Sequence, residues 1–248
     1  MSTYFPSEDL HLNIARGLVK GTSFNHKFGA VPALSINTTG SVWDVNDTLY
    51  PWTALDTPAV VNIERNNAAD EGHVVTVQGL DADYNFQEEE IVISGTDTLG
   101  TKLFRRVNRA FCTDDGSTNT GNIDIEAGAA GGTTVARITA GKGQTLMAVY
   151  TVPAGYTAYI TQGVASVQSG GNATGDMMIR YFGQNTFRVG HSFEVTATGG
   201  SYFYPFSVPV AVPEKSDIDI RARAAGNNSR VTAAFDMILI KDGLGEVT

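Results

Sequence analysis

A chain of 248 residues, 42% hydrophobic and 17% charged, can bury a sizeable core without metal or disulfide staples, and its single cysteine, Cys112, cannot form an internal disulfide. Seventeen Lys and Arg against 26 Asp and Glu leave a net charge of −9, which argues against adhesion to nucleic acid or to an anionic membrane. No apolar run approaches the ~18 residues of a bilayer-spanning helix, and the start of the chain lacks the basic-then-apolar pattern of a secretory signal.

The first 36 residues differ from the rest. Residues 7–19 read as a short helix with Ser7 as its cap and Leu10, Ile14 and Leu18 at four-residue spacing. Residues 21–30 are polar, glycine-bearing and weakly patterned, so 1–36 is predicted to be an extended N-terminal arm that lies on another surface. Trp43, Tyr50 and Trp52 then cluster within 42–53, as Tyr202, Phe203 and Tyr204 do later; both groups read as core or interface packing rather than sugar-stacking platforms.

Short β-branched runs follow between glycine-rich turns. HVVTVQGL (73–80), EEIVISG (89–95), NIDIEA (122–127) and TVARITA (134–140) are candidate strands, and 37–140 reads as a less regular β-rich region. Within it, 102–109 is the sole positive concentration, interleaving Phe104 and Phe111 with Arg105, Arg106 and Arg109. In so acidic a chain, these arginines are expected to bond acidic neighbours across strands or a subunit boundary rather than nucleic acid. The stretch Asp114-Asp115-Gly116-Ser117-Thr118-Asn119 has oxygen ligands at short spacing but lacks the terminal glutamate of a calcium loop, so it reads as a solvated turn.

From 141 onward about seven strands succeed one another, enough for a β-sandwich or jelly roll. They are TLMAVYTV, GYTAYITQGVASV, DMMIRYFG, FRVGHSFEV, SYFYPFSV, SDIDIRARA and RVTAAFDMILIKD. Pro153 and Gly155 fit a tight turn, which predicts that the runs on either side are antiparallel neighbours. In SDIDIRARA, Ile218, Ile220, Ala222 and Ala224 face one way and Asp217, Asp219, Arg221 and Arg223 the other. The chain is thus read as all-β: arm 1–36, β-rich region 37–140 and β-sandwich or jelly-roll module 141–248.

The sequence carries no recognisable catalytic constellation. His11, His26, His73 and His191 are scattered, and no nucleophile elbow, Walker loop or dinucleotide fingerprint occurs. Glu88, Glu89 and Glu90 form a solvated cluster entering a strand, without the paired unlike environments that acid/base work needs. No catalytic, cofactor-binding or metal-ligating residue is predicted. The four Asn-X-Ser/Thr sequons at Asn37, Asn46, Asn172 and Asn227 read as turn markers.

One combination of segments, in order along most of the chain, carries a resemblance. It comprises Val19-Lys20-Gly21 with His26-Lys27-Phe28-Gly29, Ser41-Val42-Trp43-Asp44 with Tyr50-Pro51-Trp52, the stretch 77–85, 104–110, the 145–155 corner, and Ile218-Asp219-Ile220 after Pro213-Glu214-Lys215. The chain resembles a family of virion structural proteins of tailed bacteriophages of aquatic bacteria. The resemblance implies a non-enzymatic protein of the capsid exterior, made in the bacterial host cytoplasm, that decorates or cements the shell by binding the major capsid protein. Threefold sites on such a shell, and strand edges that need covering, lead to the expectation of a homotrimer. The contacts expected are the arm with Phe28 against the shell, and Trp43, Trp52, Arg105, Arg106 and Arg109 at subunit boundaries. A tail, baseplate or fibre-attachment component and a host-glycan-binding β-sandwich are the alternatives; neither nucleic acid nor a membrane is an expected partner.

Overall fold

A computed structural model describes residues 9–45, 47–113, 118–168, 171–196 and 200–243. The protein is all-β. One short helix, α1 (Leu10–Ala15), is capped by Asp9, whose carboxylate accepts from the backbone N–H groups of His11 and Leu12. It is shorter than the expected 7–19; Gly17, at φ 69°, turns the chain away just after it, and Ser7 lies outside the described residues. Among the described residues no helix is long and apolar enough to cross a membrane.

Strands follow as β1 (Thr22–Leu34), β2 (Thr39–Ser41), β3 (Val61–Arg65), β4 (Val74–Leu80), β5 (Phe86–Val92), β6 (Asp97–Leu99), β7 (Arg106–Cys112), β8 (Ile123–Ala127) and β9 (Thr133–Ile138). The second half adds β10 (Val149–Thr151), β11 (Tyr156–Val167), β12 (Ala173–Arg180), β13 (Arg188–Val195), β14 (Ser201–Val212), β15 (Asp217–Ala224) and β16 (Ser229–Lys241). They form two sandwiches. In one, the sheet β1-β16-β11-β14 packs on β10-β15-β12-β13, with β2 beside β15. Leu34, Ile160, Val212, Phe235 and Met237 of the first sheet meet Met177, Ile179, Phe193, Ile218 and Ile220 of the second.

The other sandwich pairs β6-β3-β8-β9 with β5-β4-β7. Ile63, Val75, Val77, Val107, Ile123 and Ile125 form its core together with Phe104, Trp43, Tyr50 and Trp52. Residues 37–140, expected to be less regular, therefore contribute a sandwich with its own core. The two sandwiches are tied by β10, whose Val149 enters this core while Tyr150 enters the other.

Two local expectations are corrected. Residues 22–34, expected within an arm, form β1 instead, antiparallel to β16 from Thr22 opposite Ile240 to Val31 opposite Val231. Its pattern was hard to read because the side facing the rest of the protein carries Gly29. A Cβ there would lie 2.1 Å from the Val42 carbonyl oxygen and 2.4 Å from the Ala148 nitrogen, so only glycine lets β1 pass. The Pro153-Ala154-Gly155 corner does not join neighbours: β10 and β11 belong to opposite sheets, and Gly155 at φ 72° carries the chain from one to the other. The alternation expected in β15 has its Asp side turned into the protein. Asp217 and Asp219 are 3% and 0% exposed, because the other sandwich covers that face.

Candidate functional site

The seam between the sandwiches holds two of the residues expected at subunit boundaries, Arg106 and Trp52. Arg106, the first residue of β7, donates Nε to Asp217 Oδ1 at 3.2 Å, and Arg180, the last of β12, donates Nε and Nη2 to Asp217 Oδ2 at 2.9 and 2.5 Å. Thr151 Oγ1 adds a fourth bond to Asp217 at 2.6 Å. Asp219 accepts from Trp52 Nε1 at 3.1 Å and Arg221 Nε at 2.8 Å. The Trp52 ring is flanked by the guanidinium groups of Arg106 and Arg180 at 5.8 and 5.7 Å. Burial opposes the charge of Arg106, but the Asp217 carboxylate, helped by Tyr84 and Asp56, leaves the pKa raised. Ion pairs and hydrogen bonds link these groups, so the cluster is a clasp holding one sandwich to the other.

Trp43 and Trp52 are 2% and 7% exposed and pack inside the protein, not on a subunit seam. Trp43 meets Tyr50 edge-on at 5.1 Å and donates Nε1 to the Thr48 carbonyl at 3.0 Å. Three aromatics in a strand-free loop carry no alternation by which sequence could tell core from interface. Arg105 is also used internally, bonding the carbonyls of Ala82 at 3.0 Å and Asp56 at 2.7 Å. Arg109 is exposed and Phe28 half-buried, and both face a cleft between the sandwiches. Of the turn expected at 114–119, residues 114–117 lie outside the described residues.

Several exposed apolar side chains lie on one pair of sheet edges. β13 and β14 are the edge strands of the two facing sheets, at the same side of their sandwich. Phe203 is 56% exposed, Val208 79%, Val189 56% and Tyr204 41%. The register explains Val208. Ile160 pairs with Val210 and Gln162 with Pro205, so the four residues 206–209 have only Thr161 opposite them and bulge outward. The rings along β14 are ordered by one another. Tyr202 and Tyr204 are parallel at 6.2 Å, Tyr204 meets Phe206 at 5.0 Å, and His191 of β13 stacks on Tyr204 at 4.5 Å while bonding the Tyr202 hydroxyl at 2.6 Å.

Pro205 and Pro209 carry no backbone N–H, and the bulge interrupts the edge between them. These features hinder open-ended strand addition while side chains remain free to pack. The grouping of Tyr202, Phe203 and Tyr204 was visible in the sequence, but that the strand is an edge was not.

Among the described residues no three His, Cys, Asp or Glu side chains converge as a metal site. No protein-family model matches this chain, and no curated protein matches it. Solved structures of infectious bursal disease virus, Gt and Gx strains, align with it at 11% identity. The Gt alignment covers 91% of this chain and 74% of that one at a TM-score of 0.28; the Gx alignment covers 90% and 73% at 0.27. Likeness at that level supports no argument about what this chain does.

Proposed function

We propose that the chain is a non-enzymatic structural protein of a tailed-phage virion, a capsid decoration protein that binds the major capsid protein as a homotrimer. The observation that supports this reading is the aromatic and aliphatic surface on the β13–β14 edge. Burying a Phe or Val side chain is worth roughly 1.5–3 kcal/mol, so Phe203, Val208 and Val189 each offer association energy on this edge, with Phe203 and Tyr204 on opposite faces of β14. The seam assigned to Trp43 and Trp52 in the sequence is replaced by this edge, since both tryptophans are buried within the chain.

Threefold symmetry lets each copy present the same contact to a shell position where three subunits meet, and avidity then replaces strong single-site binding. The clasp between the sandwiches keeps the two units in one arrangement and so limits the ordering cost of binding. Light scattering on the purified protein tests the trimer: the mass of three chains is expected, reduced to one chain by F203D/V208D. A wild-type mass of one chain at all concentrations would overturn it.

A further inference from the structure

A cleft of about 370 Å³ opens between β1 of one sandwich and the β5-β4-β7 sheet of the other. That volume lies within the usual ~300–1,000 Å³ of small-molecule sites. Its charged groups are unbalanced. Lys27, only 5% exposed, donates Nζ to the backbone carbonyl of Asn108, and Arg109 stands beside it. No Asp or Glu lines the cleft, although the chain has a net charge of −9. His26 is engaged by Asp236 and Gln78 by Glu88, which leaves neither carboxylate to neutralise Lys27.

A second observation points the same way. Tyr150 also lines the cleft; the residue is 2% exposed, and its hydroxyl has no hydrogen-bond partner among the described residues. The Asn25 side chain lies close enough to act as a donor toward the phenolic oxygen, which leaves the hydroxyl proton itself without an acceptor. A buried donor and a buried cation, both without an anionic acceptor, are each costly in isolation. Burial first, and then Arg109, bring the Lys27 pKa down to about 7, which is the electrostatic measure of that cost.

We propose that this cleft binds a carboxylate. One carboxylate oxygen takes the Lys27 ammonium and the Tyr150 hydroxyl, the other faces Arg109, and an apolar body lies against Phe24, Phe28 and Phe86. A singly charged planar anion fits these few donors and ring-lined walls. A phosphate needs more donors, typically several backbone N–H groups in a nest, and the cleft offers side chains on strands instead. The carboxylate belongs either to a free ring-bearing acid or to an Asp or Glu side chain of a docking chain.

Calorimetric titration of the whole protein separates these sources, with benzoate as the free acid, N-acetylglutamic acid α-amide as the side-chain mimic, and inorganic phosphate as the contrast. Saturable binding of either carboxylate is expected, with phosphate at least about tenfold weaker; the tighter of the two carboxylates identifies the source. Y150F, which keeps the ring, should weaken binding roughly three- to tenfold, and K27M at least about tenfold. Carbon-13 shifts of the Lys27 side chain should move on binding in the wild type. The proposal is overturned if neither carboxylate binds saturably, if phosphate binds more tightly than both, or if Y150F binds as the wild type does. Should K27M fail to fold, Y150F and the Lys27 shifts decide.

Discussion

Removing the Asp217 carboxylate is predicted to loosen the two sandwiches from each other. Asp217 is 3% exposed and accepts bonds from Arg106, Arg180 and Thr151 at 2.5–3.2 Å. Asp217→Ala leaves Arg106, itself 4% exposed, with the Arg105 carbonyl at 2.8 Å and the Asp56 carboxylate at 3.2 Å, whose side chain is 52% exposed. Breaking a buried pair by removing one partner costs about 3–5 kcal/mol. Arg106→Met should cost less, about 1–3 kcal/mol, because Asp217 keeps Arg180 and Thr151. With both changes made, the loss should fall short of the sum by about 1–3 kcal/mol, the coupling of residues in one network. Urea unfolding followed by tryptophan fluorescence measures this, since Trp52 lies against both arginines. A loss below about 1 kcal/mol for Asp217→Ala, or strict additivity with Arg106→Met, would refute the clasp.

Two buried charges predict an unusual pH profile. Burial raises the Asp44 pKa from 3.8 to about 7 despite bonds from Thr139 Oγ1 and the Leu146 N–H, so the folded state holds a proton that the unfolded chain releases between those values. Stability contributed by Asp44 therefore falls as pH rises from about 4 to 7, by at most roughly 4 kcal/mol. Lys27 does the reverse: its pKa lies near 7 against 10.5 unfolded, so its penalty is present below pH 7 and fades as pH rises to about 10.5. A stability minimum near pH 7 is expected from denaturant titrations, with Asp44→Asn flattening the acid limb and Lys27→Met the alkaline limb; a wild-type plateau through neutrality would contradict both. Gly29→Ala forces a Cβ to 2.1 Å from the Val42 oxygen, and a cost of about 3 kcal/mol should lower Tm by roughly 6–12 °C by calorimetry. An unchanged Tm would mean that β1 does not pass so close.

Period-two alternation made much of the fold legible. RVTAAFDMILIKD became β16, whose residues alternate buried and half-buried between two partner strands, and TVARITA became β9. What stayed hidden had a physical cause in each case. β1 carries a buried lysine and a glycine where a core strand would show apolar residues, so its periodicity is broken at Lys27 and Gly29. β7 begins with an arginine that is buried only because Asp217, more than a hundred residues away, neutralises it. Asp217 and Asp219 share one side of β15, as alternation says, but alternation does not say whether a second sandwich covers that side. The β14 cluster posed the converse problem. Its aromatics look like core until the strand order places them on an edge.

The central proposal is that this protein attaches to a phage shell as a trimer joined through its apolar edge, so that breaking the trimer removes the avidity of attachment, and co-sedimentation tests it most directly. Shells of the phage lacking the protein, mixed with the purified wild type, should pellet it saturably at many copies per shell. F203D/V208D, with an unchanged circular dichroism spectrum, should remain in the supernatant. Wild-type protein that stays in solution with such shells, or a charged edge that binds them as well as the native one, would contradict the account.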